Sequence, residues 1–186
     1  MSNNNLPVLT SNRVTLRRPR EDDVAARFRL GTDPEIVRMY GGSRADFRPM
    51  TEEAARWWVQ QLMDHDYAWI IDAGGPIGSI RLDRVDRRDR RANLAVGIEE
   101  AAQLGIGLGT EAVSLVLGYA FDILELHRIT VRVVQYNDRA IRAYQKCGFT
   151  IEGREREAAL VDGNWYDDVV MGILDREFSG AKRNRA

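Results

Sequence analysis

Cysteine is nearly absent. Cys147 stands alone, so no internal disulfide can form, which fits a reducing cytoplasm. Histidine is almost as scarce: His65 and His127 lie far apart, and with one cysteine they make a zinc site unexpected. No apolar run approaches the length needed to cross a bilayer, and the N-terminus lacks the basic segment and apolar core of a signal peptide. An excess of one charge is missing too. With 27 Lys and Arg against 28 Asp and Glu, the net charge is -1, so nothing global points to nucleic acid or to an anionic membrane. No internal repeat, low-complexity linker or compositional break divides the chain.

What is present is one domain's worth of core. The 186 residues are 44% hydrophobic and 30% charged, a soluble globular balance. Residues 1–12 are polar and expected to be loose, 13–178 form a single domain, and 179–186, with Lys182-Arg183-Asn184-Arg185, read as a frayed basic tail. The run from Asp86 to Arg91 reads first as a solvated turn, with a basic docking patch as the alternative.

Local signals predict the elements. Val14–Arg17 reads as a strand. Pro19 and Glu21-Asp22-Asp23 favour a helix start, since acids suit the positive end of a helix dipole. Pro34 opens a short second helix, and Thr51 caps a longer one reaching about His65. His65 suits that helix end as a cation. Of Trp57 and Trp58 on the long helix, one is expected in the core and the other along a cleft. Ala68–Ile71, a second arm with Ile77, Ile80 and Leu82, and Ala92–Ile98 read as strands around the turn at Gly74-Gly75-Pro76. Val113, Val116, Leu117, Ala120, Phe121 and Leu124 share one helical stripe. Ile129, Val131 and Val133 alternate as a strand should, with His127 as a structural residue starting it. Asp138–Cys147 reads as a helix closed by Gly148. Two last strands, near Thr150–Arg156 and Asp168–Leu174, flank a turn at Asp162-Gly163. A strand–helix–strand unit within a meander implies an α+β (mixed α/β) fold, with one parallel pair in a mostly antiparallel sheet.

The most informative segment is Gln103-Leu104-Gly105-Ile106-Gly107-Leu108-Gly109-Thr110, directly after a strand and opening a long helix. Alternate glycines let backbone approach a ligand, and the free N–H groups of a helix start face it, which suits a phosphate or pyrophosphate. A flexible turn with no ligand is the plainer alternative. The spacing G-x-G-x-G is not the Rossmann fingerprint, and no Gly-Lys-Ser/Thr follows as in a Walker loop. A second motif follows the next strand: Asn137, Ala140, Tyr144, Lys146, Gly148 and Phe149 stand in the pattern N-x-x-A-x-x-x-Y-x-K-x-G-F.

Together, from about Asn93 to Phe149, these motifs resemble the GNAT N-acetyltransferases. Leu126-His127-Arg128-Ile129 and Gly163–Asp168 look like the branch holding ribosomal-protein alanine N-acetyltransferases (RimJ/RimL type) and spermidine acetyltransferases. Gln103–Thr110 also looks locally like some aminoglycoside 6′-acetyltransferases. The resemblance implies a central twisted sheet whose parallel strands splay at a bulge, and acetyl-CoA as cosubstrate. It places the pantetheine arm between Leu94–Ile98 and Ile129–Val134, the pyrophosphate on Leu104, Gly105, Ile106, Gly107, Leu108, Gly109 and Thr110, and the oxyanion donor at Val96, Gly97 or Ile98. Tyr144 matches the acid beside the sulfur, with a packed aromatic as the alternative. Asn93 aligns where some relatives carry Glu; it cannot act as a base but can position a water. Asn137 can cap its helix and also bind the coenzyme, and Lys146 is either a surface lysine or a phosphate partner. Leu104 departs from the usual side-chain donor of the loop.

The base stays open among Asp167, Asp168, Glu35 and water, with Glu99 and Glu100 expected to face the loop. Cys147 reads as buried filler, and Gly41-Gly42 as a mobile loop over the acceptor site. The acceptor implied is an amine-bearing small molecule or a peptide N-terminus. A polycation would need carboxylates such as Asp33, Glu35, Glu52 and Glu53. A non-catalytic acyl-CoA-binding module is the competing class, and a homodimer through the C-terminal strands is a further expectation.

Overall fold

The computed structural model describes residues 6–179. Eight strands form one sheet in the order β1-β2-β3-β4-β5-β6-β8-β7. They are β1 (Leu9–Thr10), β2 (Thr15–Arg17), β3 (Ala68–Asp72), β4 (Pro76–Asp86), β5 (Arg91–Ile98), β6 (Arg128–Val134), β7 (Thr150–Val161) and β8 (Asn164–Leu174). Every neighbouring pair is antiparallel except β5 and β6, which are parallel, as the strand–helix–strand order requires.

Helices cover both faces. Before β3 come α1 (Asp23–Leu30), α2 (Pro34–Met39) and α3 (Glu52–Met63); α4 (Leu108–Gly118) joins β5 to β6, and α5 (Asp138–Lys146) follows β6. The caps follow the local chemistry. Asp33 accepts from Glu35 N–H and Ile36 N–H, and Thr51 accepts from Ala54 N–H. The face holding Leu94, Ile129, Val131, Val169 and Met171 packs on Val113, Val116 and Leu117 of α4. On the opposite face Leu62 of α3 packs on Ala68 and Ile70, while Ala55 and Val59 meet Val24 of α1. β3 is therefore buried on both sides, which explains its unbroken apolar run Ala68-Trp69-Ile70-Ile71.

Several expectations need correction. Residues 6–12 are not loose: Leu6 is buried, Leu9–Thr10 pairs with β2, and Trp69 Nε1–H donates to Pro7 O at 2.9 Å. Residues 1–5 and the basic tail over 180–186 lie outside the described residues. The long stripe is not one regular helix. α4 ends at Gly118 and widens into a π turn over Tyr119–Ile123, which still buries Ala120, Phe121 and Leu124. The last hairpin is longer than its apolar pattern suggested, because its far end is paired but solvent-exposed and so carries no burial signal. Its turn at Asp162-Gly163 has both residues at positive φ, 49° and 79°, the geometry that suits a two-residue hairpin. The Asp86–Arg91 run is a turn, in which Asp86 Oδ1 accepts from Arg88 N–H and Asp89 N–H. Trp57 is 65% exposed and Trp58 half-buried, so neither is wholly core.

No helix among the described residues is long and apolar enough to cross a membrane, and no acidic or His/Cys cluster among them could hold a metal ion.

The feature that positions everything else is the brevity of the parallel pair. β5 and β6 pair only at Arg91↔Arg128, Ala92↔Ile129 and Asn93↔Thr130, then part. The expected bulge is not at this fork. β4 and β5 stay in register from Gly78↔Ile98 to Asp83↔Asn93, and then two residues of β4, Arg84 and Val85, oppose Ala92 alone, so β4 carries one extra residue. Gly78 is required by this close pairing, since a Cβ there would overlap the Gly97 carbonyl oxygen. Gly78→Ala is expected to cost about 3 kcal/mol in urea unfolding, a backbone overlap being hard to relieve. Gly153→Ala, with nothing within 4 Å of a new Cβ, should stay within about 0.5 kcal/mol of the parent. Equal midpoints for the two variants would refute the requirement.

Candidate functional site: the cleft in the sheet

The fork opens a cleft of about 1030 Å³, lined by Leu94–Glu99 on one side and Thr130–Val134 on the other. Its chemistry starts with backbone direction. Glu99 N–H donates to Ile77 O across β4 at 2.8 Å. Amide direction alternates along a strand, so the N–H groups of Ile98, Val96 and Leu94 point away from β4, into the fork. Beyond Asn93 no neighbouring strand meets them. Ile98 N–H is taken by a side chain instead, donating to Tyr40 Oη at 3.0 Å, while Tyr40 O–H donates back to Ile98 O at 3.4 Å. Burial first and the Glu99 charge second push the Tyr40 phenol up to about 12. Its ring is half exposed while its hydroxyl end is inside the cleft.

At one end of the cleft lies the glycine loop. Gly105 and Gly107 adopt φ of 79° and 95°, which side chains resist, and Gly107 caps α4. Arg13 braces the turn from outside, donating from Nη1 to Ile106 O at 2.9 Å and from Nε to Glu111 at 2.6 Å. Gln103, Leu104, Gly105, Gly107, Gly109 and Thr110 line the cleft. Ile106 and Leu108 do not: Ile106 is 52% exposed and Leu108 is buried in the core, so of this loop only those two expected positions turn away. Arg139, Arg142 and Lys146 of α5 line the same cleft. The spacing of these three cations, i, i+3 and i+7, puts them on one helical face. That spacing is present in the sequence, where Lys146 alone belongs to the Asn137–Phe149 motif.

α5 is fixed at its start by Asn137. Its Oδ1 accepts from Ala140 N–H at 3.1 Å and its Nδ2 donates to Met39 O at 2.9 Å. The capping reading therefore holds, and an N–H that could serve a coenzyme already joins α5 to the end of α2. Tyr144 is buried on α5, lines the cleft and packs edge-on against Phe149 at 5.5 Å. Burial drives its phenol pKa far upward, with Tyr40 and Cys147 adding to the shift, so it stays protonated at neutral pH. Cys147 is buried beside Ser114 Oγ and the Thr110 carbonyl, which makes it the expected filler.

The acids are arranged differently from the sequence reading. Glu99 does not face the loop. It lines the cleft, and its carboxylate lies 3.6 Å from Arg27 Nη2. Burial raises its pKa and the Arg27 charge opposes that rise. Asp168 also lines the cleft; Oδ2 accepts from Arg132 at 2.9 Å, while Oδ1 is buried without a partner. Asp167 accepts Glu157 N–H, Glu35 pairs with Arg44 on the surface, and Glu52 pairs with Arg56. None of these three lines the cleft, nor do Asp33, Glu53 and Glu100. Asn93 does line it, at the last rung before the fork, opposite Thr130. Tyr40, Trp58, Ser79 and Arg81 line it as well. The segment after Tyr40 is tied to the hairpin tip: Arg44 N–H donates to Asp162 Oδ1 at 2.7 Å, and Asp162 N–H donates to Ser43 Oγ at 3.0 Å.

Residues 13–150 match the acetyltransferase (GNAT) domain family. The chain is 30% identical over 127 residues to YdaF of Bacillus subtilis, named provisionally a ribosomal N-acetyltransferase, covering 67% of this chain and 69% of that one. It is also 30% identical over 105 residues to the spermidine N(1)-acetyltransferase of Escherichia coli K12, covering 56% of each chain. The match thus spans little more than half of the spermidine enzyme. In fold it is similar to the spermidine N-acetyltransferase of Vibrio cholerae solved with CoA and spermine, with a TM-score of 0.74, 24% identity, and 90% and 98% of the two chains covered.

Asn137→Ala removes both a helix cap and the link to Met39. A loss of about 1–2 kcal/mol in urea unfolding is expected. An unchanged midpoint would mean the link carries nothing.

Proposed function

The chain belongs to the GNAT acetyltransferase family, and on that footing we propose that it transfers acetyl from acetyl-CoA directly to a primary amine, with a protein N-terminus of the ribosomal-protein type as the favoured acceptor. The observation that carries this reading is the fork, whose open amides run from Asn93 toward the glycine loop within one cleft. An extended pantetheine arm can add to β5 there as a strand would, through the N–H and C=O of Leu94 and Val96. The N–H groups at the start of α4 suit the pyrophosphate, and Arg139, Arg142 and Lys146 supply opposite charge in the same cleft. Bound acetyl-CoA supplies a thioester whose carbonyl carbon an amine can attack.

The chain's own residues then have separable tasks. The cleft holds both reactants, so much of the rate comes from proximity. An amide in Val96–Ile98 is the donor for the developing oxyanion. Tyr144, protonated and beside the path of the arm, gives its proton to the departing thiolate. Asn93 positions water or the amine, since a carboxamide takes no proton.

The charge of the cleft favours a peptide amine over a polyamine or aminoglycoside. Among the described residues only Glu99 and Asp168 are acids lining it, and each is paired with an arginine. A polycation finds few open carboxylates. A peptide brings one ammonium, with carbonyls that Arg81 and Arg132 can hold. We place the protein in the cytoplasm, where the single buried Cys147 thiol stays reduced, and propose a homodimer through the exposed β7 edge.

Two measurements test this. Release of CoA thiol from acetyl-CoA should depend on peptides ending in Ala, Ser or Met and should lag with spermidine and aminoglycosides; a preference for spermidine would overturn the peptide reading. Tyr144→Phe should bind coenzyme normally and lose at least about tenfold in turnover. Coenzyme binding without turnover of any amine by the parent protein would favour a non-catalytic acyl-CoA-binding module, for which Asn93 in place of an acid is the supporting feature.

A further inference from the structure

Glu99 directly follows β5 and lines the cleft on the same face as Gly97. A Cβ built on Gly97 would meet Glu99 Oε1 at 3.0 Å and Tyr40 Oη at 3.1 Å. Both oxygens therefore close over one stretch of bare backbone, and glycine keeps the space between them open. Tyr40 Oη is anchored there by Ile98 N–H. Behind the carboxylate stands Arg27. Its Nη1 donates to Gly31 O at 2.6 Å, and its guanidinium lies over the Trp58 ring at 5.2 Å. At 3.6 Å from Glu99, Arg27 gives charge without a hydrogen bond. No described residue donates a hydrogen bond to the Glu99 carboxylate, so its lone pairs remain available inside the cleft.

This is an unusual state for a carboxylate so deeply placed. Desolvation lifts its proton affinity above the ordinary range, and the Arg27 charge offsets part of that lift. Such a group is a better proton acceptor than a surface Glu and is still held in place by a fixed cation. At the other end of the same face, Asn93 cannot take a proton.

We propose that Glu99 is the general base, receiving the proton of the acceptor amine, with Tyr40 fixing the polar corner in which that amine sits; the proposal rests on the acetyl-transfer reading. The ammonium loses two protons in all. The first passes to Glu99 Oε1 and on to solvent, leaving a neutral amine. The nitrogen then forms its bond to the acetyl carbon as the carbon–sulfur bond breaks. Tyr144 gives its proton to the sulfur, and the second proton from nitrogen restores the phenol. The products are the amide, CoA thiol and one proton. The charged and titratable groups bearing on this corner are Arg27 from α1, Tyr40 after α2, and, through Tyr40, Arg139 and Tyr144 of α5.

The test uses the full chain, acetyl-CoA and two acceptors: a peptide with N-terminal Ala, and the same peptide with an aminooxy group in place of its amine. The first arrives largely protonated at neutral pH and the second arrives neutral. Glu99→Gln should lose about 100-fold in kcat with the Ala peptide and under about fivefold with the aminooxy peptide. In the parent protein kcat should fall as pH drops through the Glu99 pKa, because the acceptor form is the carboxylate, and Glu99→Gln should lack this limb. Thermal shift with acetyl-CoA reports whether the variant folds and binds. If it does not, Glu99→Asp takes its place and should keep the limb at reduced kcat. Equal losses with both acceptors, or an Asp variant lacking the limb, would overturn Glu99 as the base while leaving acetyl transfer intact. No thiol release by the parent protein with any amine would overturn the transfer reading and the base with it.

Discussion

Three rungs of parallel pairing, and no more, are the constraint on which the site depends. A sheet normally satisfies its backbone polar groups with its neighbours, and a buried amide left unpaired costs free energy comparable to a lost hydrogen bond. Here the amides of Leu94 and Val96 face a gap instead of a strand. That deficit is tolerable because the gap is open to a ligand that can meet them. Ile98 N–H, farther along, is met by the Tyr40 hydroxyl. The unpaired edge and the proposed binding site are the same feature. The rest of the fold holds it apart: α4 and the antiparallel register of β4 fix β5, while β8 pairs with the whole length of β6 from Arg128 to Val134.

Much of this was legible from residue order. The glycine loop, the helix it opens, the strand after it and the Asn137–Phe149 motif lie close together in sequence, and local chemistry decides each. The caps at Asp33, Thr51 and Asn137 were readable for the same reason. What stayed hidden depends on long-range packing. Glu99 looked like a loop residue because it stands where the apolar strand pattern ends, beside Glu100 and just before the glycine loop. Only Arg27, 72 positions earlier in the chain, makes it a buried partner in the cleft. Tyr40 likewise carries no motif, and its role appears only when α2 delivers its hydroxyl to Ile98. The far half of the β7–β8 hairpin escaped because exposed pairing leaves no apolar period to read. The bulge expected at the fork was displaced onto β4, where two residues oppose one without any local sequence mark.

The cleft carries both signs of charge. Arg139, Arg142 and Lys146 line it together with the glycine loop that opens α4, an arrangement suited to phosphate. Each acid in its lining is balanced by an arginine, Glu99 by Arg27 of α1 and Asp168 by Arg132 of β6. Arg27 and Glu99 form the more buried pair, and such a pair contributes little net stability, because desolvation offsets attraction. On the proposed function, the pairing sets proton affinity and leaves few open carboxylates for a polycation. The same balance makes the loss of one partner costly, which is why a conservative Asp and a neutral acceptor are both needed to separate chemistry from folding.

On the proposed function, coenzyme A binds at the fork, through the backbone of β5. Hydrogen–deuterium exchange with and without coenzyme A reads out that contact. Binding there slows exchange over residues 94–98 and 104–110 and leaves the outer β7–β8 hairpin unchanged. Slowed exchange confined to other segments, with 94–98 exchanging as in the free protein, would contradict it.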